Sequence, residues 1–139
     1  MKIGGKAYPR VRSISMNGNM NGDSWYTALI EAKWWTFRKM SNIQQASQMF
    51  VFIDEREESV DDGYLLVGMD DNKTWGNLPA IYHNGAGGLG FADGHAEIRK
   101  WLDPRTKPPI RKGRDLELIT SSANNVDVAW LQERATGLK

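Results

Sequence analysis

Cysteine is absent from the 139 residues, which removes thiolate catalysis, cysteine-ligated zinc and disulfide cross-links together. No run of eighteen apolar residues occurs, and no charged, apolar and small-residue succession opens the chain. Neither a transmembrane span nor a signal peptide is expected within these residues, and the sequence as it stands reads as soluble. Net charge is also nearly lacking, at +1, but the total hides a segregation. Residues 54–71, "DEREESVDDGYLLVGMDD", carry eight acids against one Arg, and residues 99–114, "RKWLDPRTKPPIRKGR", carry seven bases against one Asp. Opposite blocks of this kind suit either solvated faces or head-to-tail self-association. Nucleic acid is not an expected partner, because the basic block lacks a helical period and offers only Trp101 for stacking.

What is present describes one folded domain over residues 1–139. Hydrophobic content of 40% and charged content of 25% are those of a globular chain, and the length allows a single modest core. Six tryptophans are many for this length, and serve either as core filler or as a recognition surface.

Local signals predict an α+β chain with an antiparallel β-sheet, short helices and long loops. "YPRVRSISMNGNMNGD" reads as a short strand running into turns, and "DSWYTALIEAKWW" as a helix capped by Asp23 or Ser24, with Trp25, Leu29 and Ala32 at helical spacing. Ser41 and Gln44 have capping-box spacing and predict helical turns across 42–48. "MFVFIDE" should be a central strand, and "YLLVGM", after the turn residues "ESVDDG", its antiparallel neighbour. The proline-rich "DPRTKPPIRKG" is an excursion of unpredicted order, and "NNVDVAWLQERATG" a final helix with Asn124 or Asn125 as cap, Asp127 in its first turn and Arg134 in its last.

The densest polar stretch is "YHNGAGGLGFADGHAEIRKW", residues 82–101. Asp93-Gly94 between alternating residues predicts a hairpin with a two-residue turn, since such turns need positive φ. That register puts Leu89, Phe91, Ala96 and Ile98 on one apolar face, and sets His95, Glu97 and Arg99 opposite Ala92, Gly90 and Gly88. The glycines open a strand and not a helix, which disfavours phosphate binding, and they leave room for something lying across them. Asp54, Glu55, His83, Asp93 and His95 are the candidate metal ligands. Oxygen donors would favour calcium, the two histidines zinc. His83 with Asp93 could also be written as an acid/base pair, yet no nucleophile elbow or HExxH helix accompanies it, so a metal-dependent hydrolase is the weakest reading.

His83, nine residues, then Asp93 and Gly94, taken with "RSISMNG", "FVFIDE", "PAIYHNG", "FADGHAEIRKW" and "NVDVAWLQERAT" in order, resembles the prepilin-type H-X9-DG proteins from about Arg10 to Thr136. The resemblance implies a pseudopilin-like subunit of a type II secretion or type IV pilus-like apparatus that acts by self-assembly and is not an enzyme. It further implies an α+β pilin-like head whose antiparallel sheet packs on an N-terminal membrane helix processed by a prepilin peptidase. That helix and its "GFTLIE"-type site do not occur here, so the expectation is the soluble head alone, with a shortened gene product as the alternative. In full-length form it would be periplasmic or at the cell surface, anchored in the inner membrane, with other pseudopilin subunits or itself as partners. His83, Asp93 and Gly94 carry over as signature positions without an enzymatic role, and no cofactor is expected. The acids Glu57, Glu58, Asp61 and Asp62 and the bases Arg105, Lys107, Arg111 and Lys112 would form the complementary assembly surface. The other expectation is a secreted or surface module that holds glycan or peptide with exposed Trp residues and the His95, Glu97 and Arg99 face.

Overall fold

The structure, a computed structural model, describes residues 2–3, 6–7, 13–22, 25–71, 73–110 and 119–139. Its elements are β1 (Lys2–Ile3), β2 (Lys6–Ala7), β3 (Ile14–Asn17), α1 (Trp25–Ile30), β4 (Phe50–Asp54), β5 (Tyr64–Leu65), β6 (Ala86–Phe91), β7 (Ala96–Lys100) and α2 (Val126–Ala135). Single 3-10 turns lie at Met40–Asn42 and Pro104–Thr106. The fold is α+β, as the sequence predicts. No helix among the described residues is long and apolar enough to cross a membrane.

Five strands form one sheet in the order β5-β3-β4-β6-β7, while β1 and β2 pair separately. The apolar, β-branched and aromatic run "FVFID" takes the centre, flanked antiparallel by β3 and β6. The sheet is mixed, not purely antiparallel: β5 pairs with β3 in parallel, through Met16–Tyr64 and Asn17–Leu65. "YLLVGM" therefore does not return beside β4. Both sides of β4 are taken, and a turn that hydrogen-bonds Ser59 and Val60 N–H to the Arg56 carbonyl carries the chain past it to the far side of β3.

One face of the sheet packs on α2. Val128, Leu131 and Ala135, at helical spacing, are buried with Phe50, Ile53, Leu65, Trp75, Leu89, Phe91 and Trp101. Phe50 and Ile53, three apart, would point to opposite faces of a regular strand. A bulge between Phe50 and Phe52 inserts one residue into the ladder, so both turn inward and Phe52 turns out. Both ends of α2 are tied down. Asn125 caps it, its side chain accepting from the Asp127 and Val128 amides, and the buried Asp127 carboxylate accepts from the Leu102 and Asp103 amides. At the other end, the Asn17 side-chain amide donates to the carbonyls of both Ala135 and Phe50. Trp101, wholly buried, donates its indole N–H to the Ala80 carbonyl at 2.8 Å. Gly87 makes this approach feasible, since a Cβ there would stand 2.8 Å from that same carbonyl.

Elsewhere the local signals were overridden. α1 is only six residues long, and Leu29 and Ala32 of the expected apolar stripe are exposed and do not serve the core; Asp23 and Ser24 lie outside the described residues. No helix spans 42–48. A 3-10 turn with no side-chain cap and a second turn around Gln45 stand in its place, and Phe37 and Met49 bury themselves with Met20 in a small second cluster. Met16 packs against that cluster and pairs with Phe52, so the cluster lies on the side of the sheet away from α2. Of the excursion, residues 103–110 are described, with Asp103 capping the 3-10 turn, and 111–113 lie outside the described residues.

Candidate functional site

The β6–β7 hairpin is displaced by one residue from the expected register. Gly90 pairs with Ala96, Leu89 with Glu97, Gly88 with Ile98 and Gly87 with Arg99. The Phe91 amide bonds the His95 carbonyl and the Gly94 amide bonds the Phe91 carbonyl, so Ala92, Asp93 and Gly94 form a three-residue loop. Gly94 has φ of +94°, the left-handed position that closes such loops with a bulge. The Asp93 carboxylate accepts from both the backbone and the ring of His95, the latter at 2.6 Å, and that bond holds its pKa below the ordinary aspartate value. The His95 ring in turn stacks on Phe91 at 4.3 Å between centroids. This pair closes the turn.

A one-residue displacement exchanges the faces of β7 relative to β6. Leu89 and Phe91 do face the core, but Ala96 and Ile98 do not join them. They share the opposite face with Gly88, Gly90, Phe52 and Ile14. That face is open: Ile14 is 54% exposed, Phe52 47% and Ile98 66%. Together they line a groove of about 660 Å³. Gly88 and Gly90 form its floor on β6, with Phe52 and Ile14 on one side and Ile98 and Ala96 on the other. The strands that carry Phe52 and Ile98, β4 and β7, stand two strand spacings apart, about 9.6 Å, and Ile14 on β3 lies one spacing farther out. The room expected above the glycines exists, and its lining is mostly apolar: Glu97 and Asp54 border it, while His95 and Arg99 do not.

The candidate metal ligands are not brought to one place. His83 and Asp93 bracket β6, one at its entry and one beyond its exit, and six strand residues separate their ends by about 20 Å. His83 Nε2 stands 3.5 Å from the Asp54 carboxylate, which also accepts from the Gly88 amide, and His95 pairs only with Asp93. Glu55 points away from Asp54 and is wholly buried. Its carboxyl accepts from Ser15 and, at 2.8 Å, from Ser59. Burial pushes its pKa from 4.5 up to about 7; the serine bonds act against that rise, and the charge of Asp61 adds to it. Among the described residues no three His, Asp or Glu side chains converge as a metal site would require. The same separation removes His83 with Asp93 as an acid/base pair.

The expected complementary surface is partly internal. Glu58 is buried and receives two hydrogen bonds from the buried Arg56, whose third reaches the Pro108 carbonyl at 2.7 Å. The acidic and basic blocks thus meet inside one chain. Arg105 is chelated by Asp103, which holds the acid's pKa down and the base's up, and Lys107 donates to the Trp101 carbonyl. Glu57, Asp61 and Asp62 remain on the surface, where Asp61 accepts from Asn77 and Asp62 from the Tyr64 amide. Arg111 and Lys112 lie outside the described residues. No described tryptophan side chain is exposed: Trp75 and Trp101 are buried, and Trp34, Trp35 and Trp130 half-buried. Trp101, named above as a stacking partner, is therefore core. Arg99, expected on a binding face, lies 4.5 Å over the Trp130 ring, which Arg134 also contacts at 4.2 Å.

The apolar lining of the groove is what sequence reasoning missed. Its signal was present in Phe52 and Ile98, but assigning their faces required the bulge and the loop length. No family model, curated protein or solved structure matches the chain.

Proposed function

We propose that this chain is the head of a pilin-like assembly subunit of the H-X9-DG type, acting by self-assembly and not by catalysis, with the open sheet face as the seat of an apolar α-helix. The carrying observation is the groove over Gly88 and Gly90, where Ile14, Phe52 and Ile98 stand exposed and only the Asp54 carboxylate, bonded to the Gly88 amide, interrupts the apolar lining from the β4 side. A trough bounded by β4 and β7, about 9.6 Å apart between strand axes, is on the scale of an α-helix, about 10–12 Å across with its side chains. Contiguous exposed carbon of this kind marks an interaction site rather than ordinary surface. A helix is the occupant chosen because the groove lies across the face of four strands, whereas an added strand would pair along an edge. The resemblance of the chain to proteins whose sheet packs on an N-terminal helix names the same occupant. In this reading His83, Asp93 and Gly94 punctuate β6, the strand that carries the groove floor, and have no chemistry of their own. Inner-membrane anchoring and periplasmic or surface location follow from that helix.

The test is assembly in the native cell. Phe52→Glu and Ile98→Glu each place a charge in the groove at positions already exposed, so the melting temperature of the purified protein should stay within a few degrees. Fibre formation, or secretion that depends on it, should be lost. Assembly at the native level by both variants would overturn the proposal.

A further inference from the structure

β7 is one edge of the five-stranded sheet. The Phe91 amide bonds the His95 carbonyl and the Trp101 amide bonds the Gly85 carbonyl, so in this antiparallel pair residues 95, 97, 99 and 101 turn their backbone groups to β6. The amides and carbonyls of Ala96, Ile98 and Lys100 point away from the sheet, and among the described residues nothing bonds them. A regular strand with free donors and acceptors along its outer side is a template for another strand.

The side chains select which strand. Glu97 and Arg99 pair with Leu89 and Gly87, which puts them on the α2 face of the edge, and Arg99 lies over Trp130 with its buried Nε lacking a hydrogen-bond partner. Among the described residues neither Glu97 nor Arg99 forms an ion pair. An antiparallel second copy centred on Ile98 would set Glu97 of each copy opposite Arg99 of the other. Registers centred on Glu97 or on Arg99 would set carboxylate on carboxylate or guanidinium on guanidinium. Charge on an edge ordinarily repels a second strand; here it repels its own copy in the neighbouring registers and attracts it in the central one. That register suits the backbone too. Ile98 meets Ile98 and Ala96 meets Lys100, outward residue against outward residue, each such pair exchanging two hydrogen bonds. The Glu97 and Arg99 pairs then fall at the non-hydrogen-bonded positions, where side chains approach most closely.

We infer that β7 pairs with β7 of a second copy of this chain about a two-fold axis at Ile98, joining two sheets edge to edge. The exposed Ile98 meets its counterpart on the open face. The contact lies in the plane of the sheet and leaves the floor of Gly88 and Gly90 uncovered, so it stands apart from the helix seat and does not depend on it. So short an edge buries less than a standard protein interface, which sets the equilibrium at high concentration.

Sedimentation equilibrium of the purified protein from about 10 μM to about 1 mM should show monomer passing into dimer. Amide hydrogen exchange at Ala96, Ile98 and Lys100 should slow over the same range. Glu97→Arg and Arg99→Glu each set like charges opposite one another, and each alone should weaken the dimer about tenfold. Their equimolar mixture regains opposite charges at both positions and should dimerise as the native protein does, a rescue that misfolded variants would not give. Ile98→Pro removes an amide that points to solvent, and should abolish the dimer while melting stays within a few degrees. Phe52→Glu should dimerise normally, which separates failure here from failure of the assembly proposal. A monomer throughout the range, charge reversals that leave the dimer intact, or a mixture of the two that stays monomeric would each overturn the inference.

Discussion

The two faces of the five-stranded sheet are built from the same strands and differ in almost everything else. On one, Phe50, Ile53, Leu89 and Phe91 are sealed by α2, and the polar groups that enter, Asn17 and Asp127, bond backbone at its two ends. On the other, residues of similar apolar character, Ile14, Phe52 and Ile98, stand in solvent over a floor of glycine. Burial, not residue type, separates a core from a docking surface. The covered face should be costly to alter and functionally silent; the open face should be cheap to alter and functionally decisive.

The largest stability effect belongs to the covered side. Trp101→Ala removes a wholly buried indole and orphans the Ala80 carbonyl, and should cost about 3–5 kcal/mol in denaturant unfolding. A loss below about 1 kcal/mol would mean that this face is not the core.

Next comes the carboxyl beneath the same face. Because the folded pKa of Glu55 is raised to about 7 from 4.5, the folded state holds a proton that the unfolded chain has released throughout that interval. Its contribution to stability is fully present below about pH 4.5 and is lost as pH rises through 7, by up to about 3 kcal/mol. Urea melts across pH 4.5 to 7.5 should show this slope, and Glu55→Gln, which stays neutral, should flatten it. A slope that the substitution leaves unchanged would assign it to another group.

Gly94→Val should cost about 1–3 kcal/mol, because a β-branched residue resists a φ of +94°. No side chain stands within 4 Å of a Cβ built there, so the loss would be conformational and not steric. An unchanged melting temperature would refute the loop assignment. The smallest effect should come from the open face: Ile98→Ser should change stability by no more than about 0.5 kcal/mol. A loss of 2 kcal/mol or more would show that Ile98 already packs within the head, and would break the contrast between the faces.

Much of the chain was legible where one residue's own chemistry decides. Asn125 announces the start of α2 because its side chain can satisfy the first free amides, and Asp93-Gly94 announces a turn because the backbone there must take positive φ. "FVFID" is a central strand by composition. Less visible was the extent of α1 and the fate of "SNIQ", where propensity yielded to the burial of Phe37 and Met49. The charge blocks misled for a related reason: Arg56 and Glu58 look like surface residues until they find each other and the Pro108 carbonyl.

By itself, then, the sequence determined an α+β chain, the positions of β4, the β6–β7 hairpin and α2, and the place of the turn between the hairpin strands but not its length. These rest on hydrogen bonds and torsion angles within a few residues. Only the tertiary structure decided which side chains each face would carry. A strand alternates with a period of two, so one residue inserted as a bulge between Phe50 and Phe52, or added to the loop at Ala92, exchanges inside for outside along the strand that follows. Partners distant in the chain select that insertion, and with it Phe52 and Ile98 come to face the open groove.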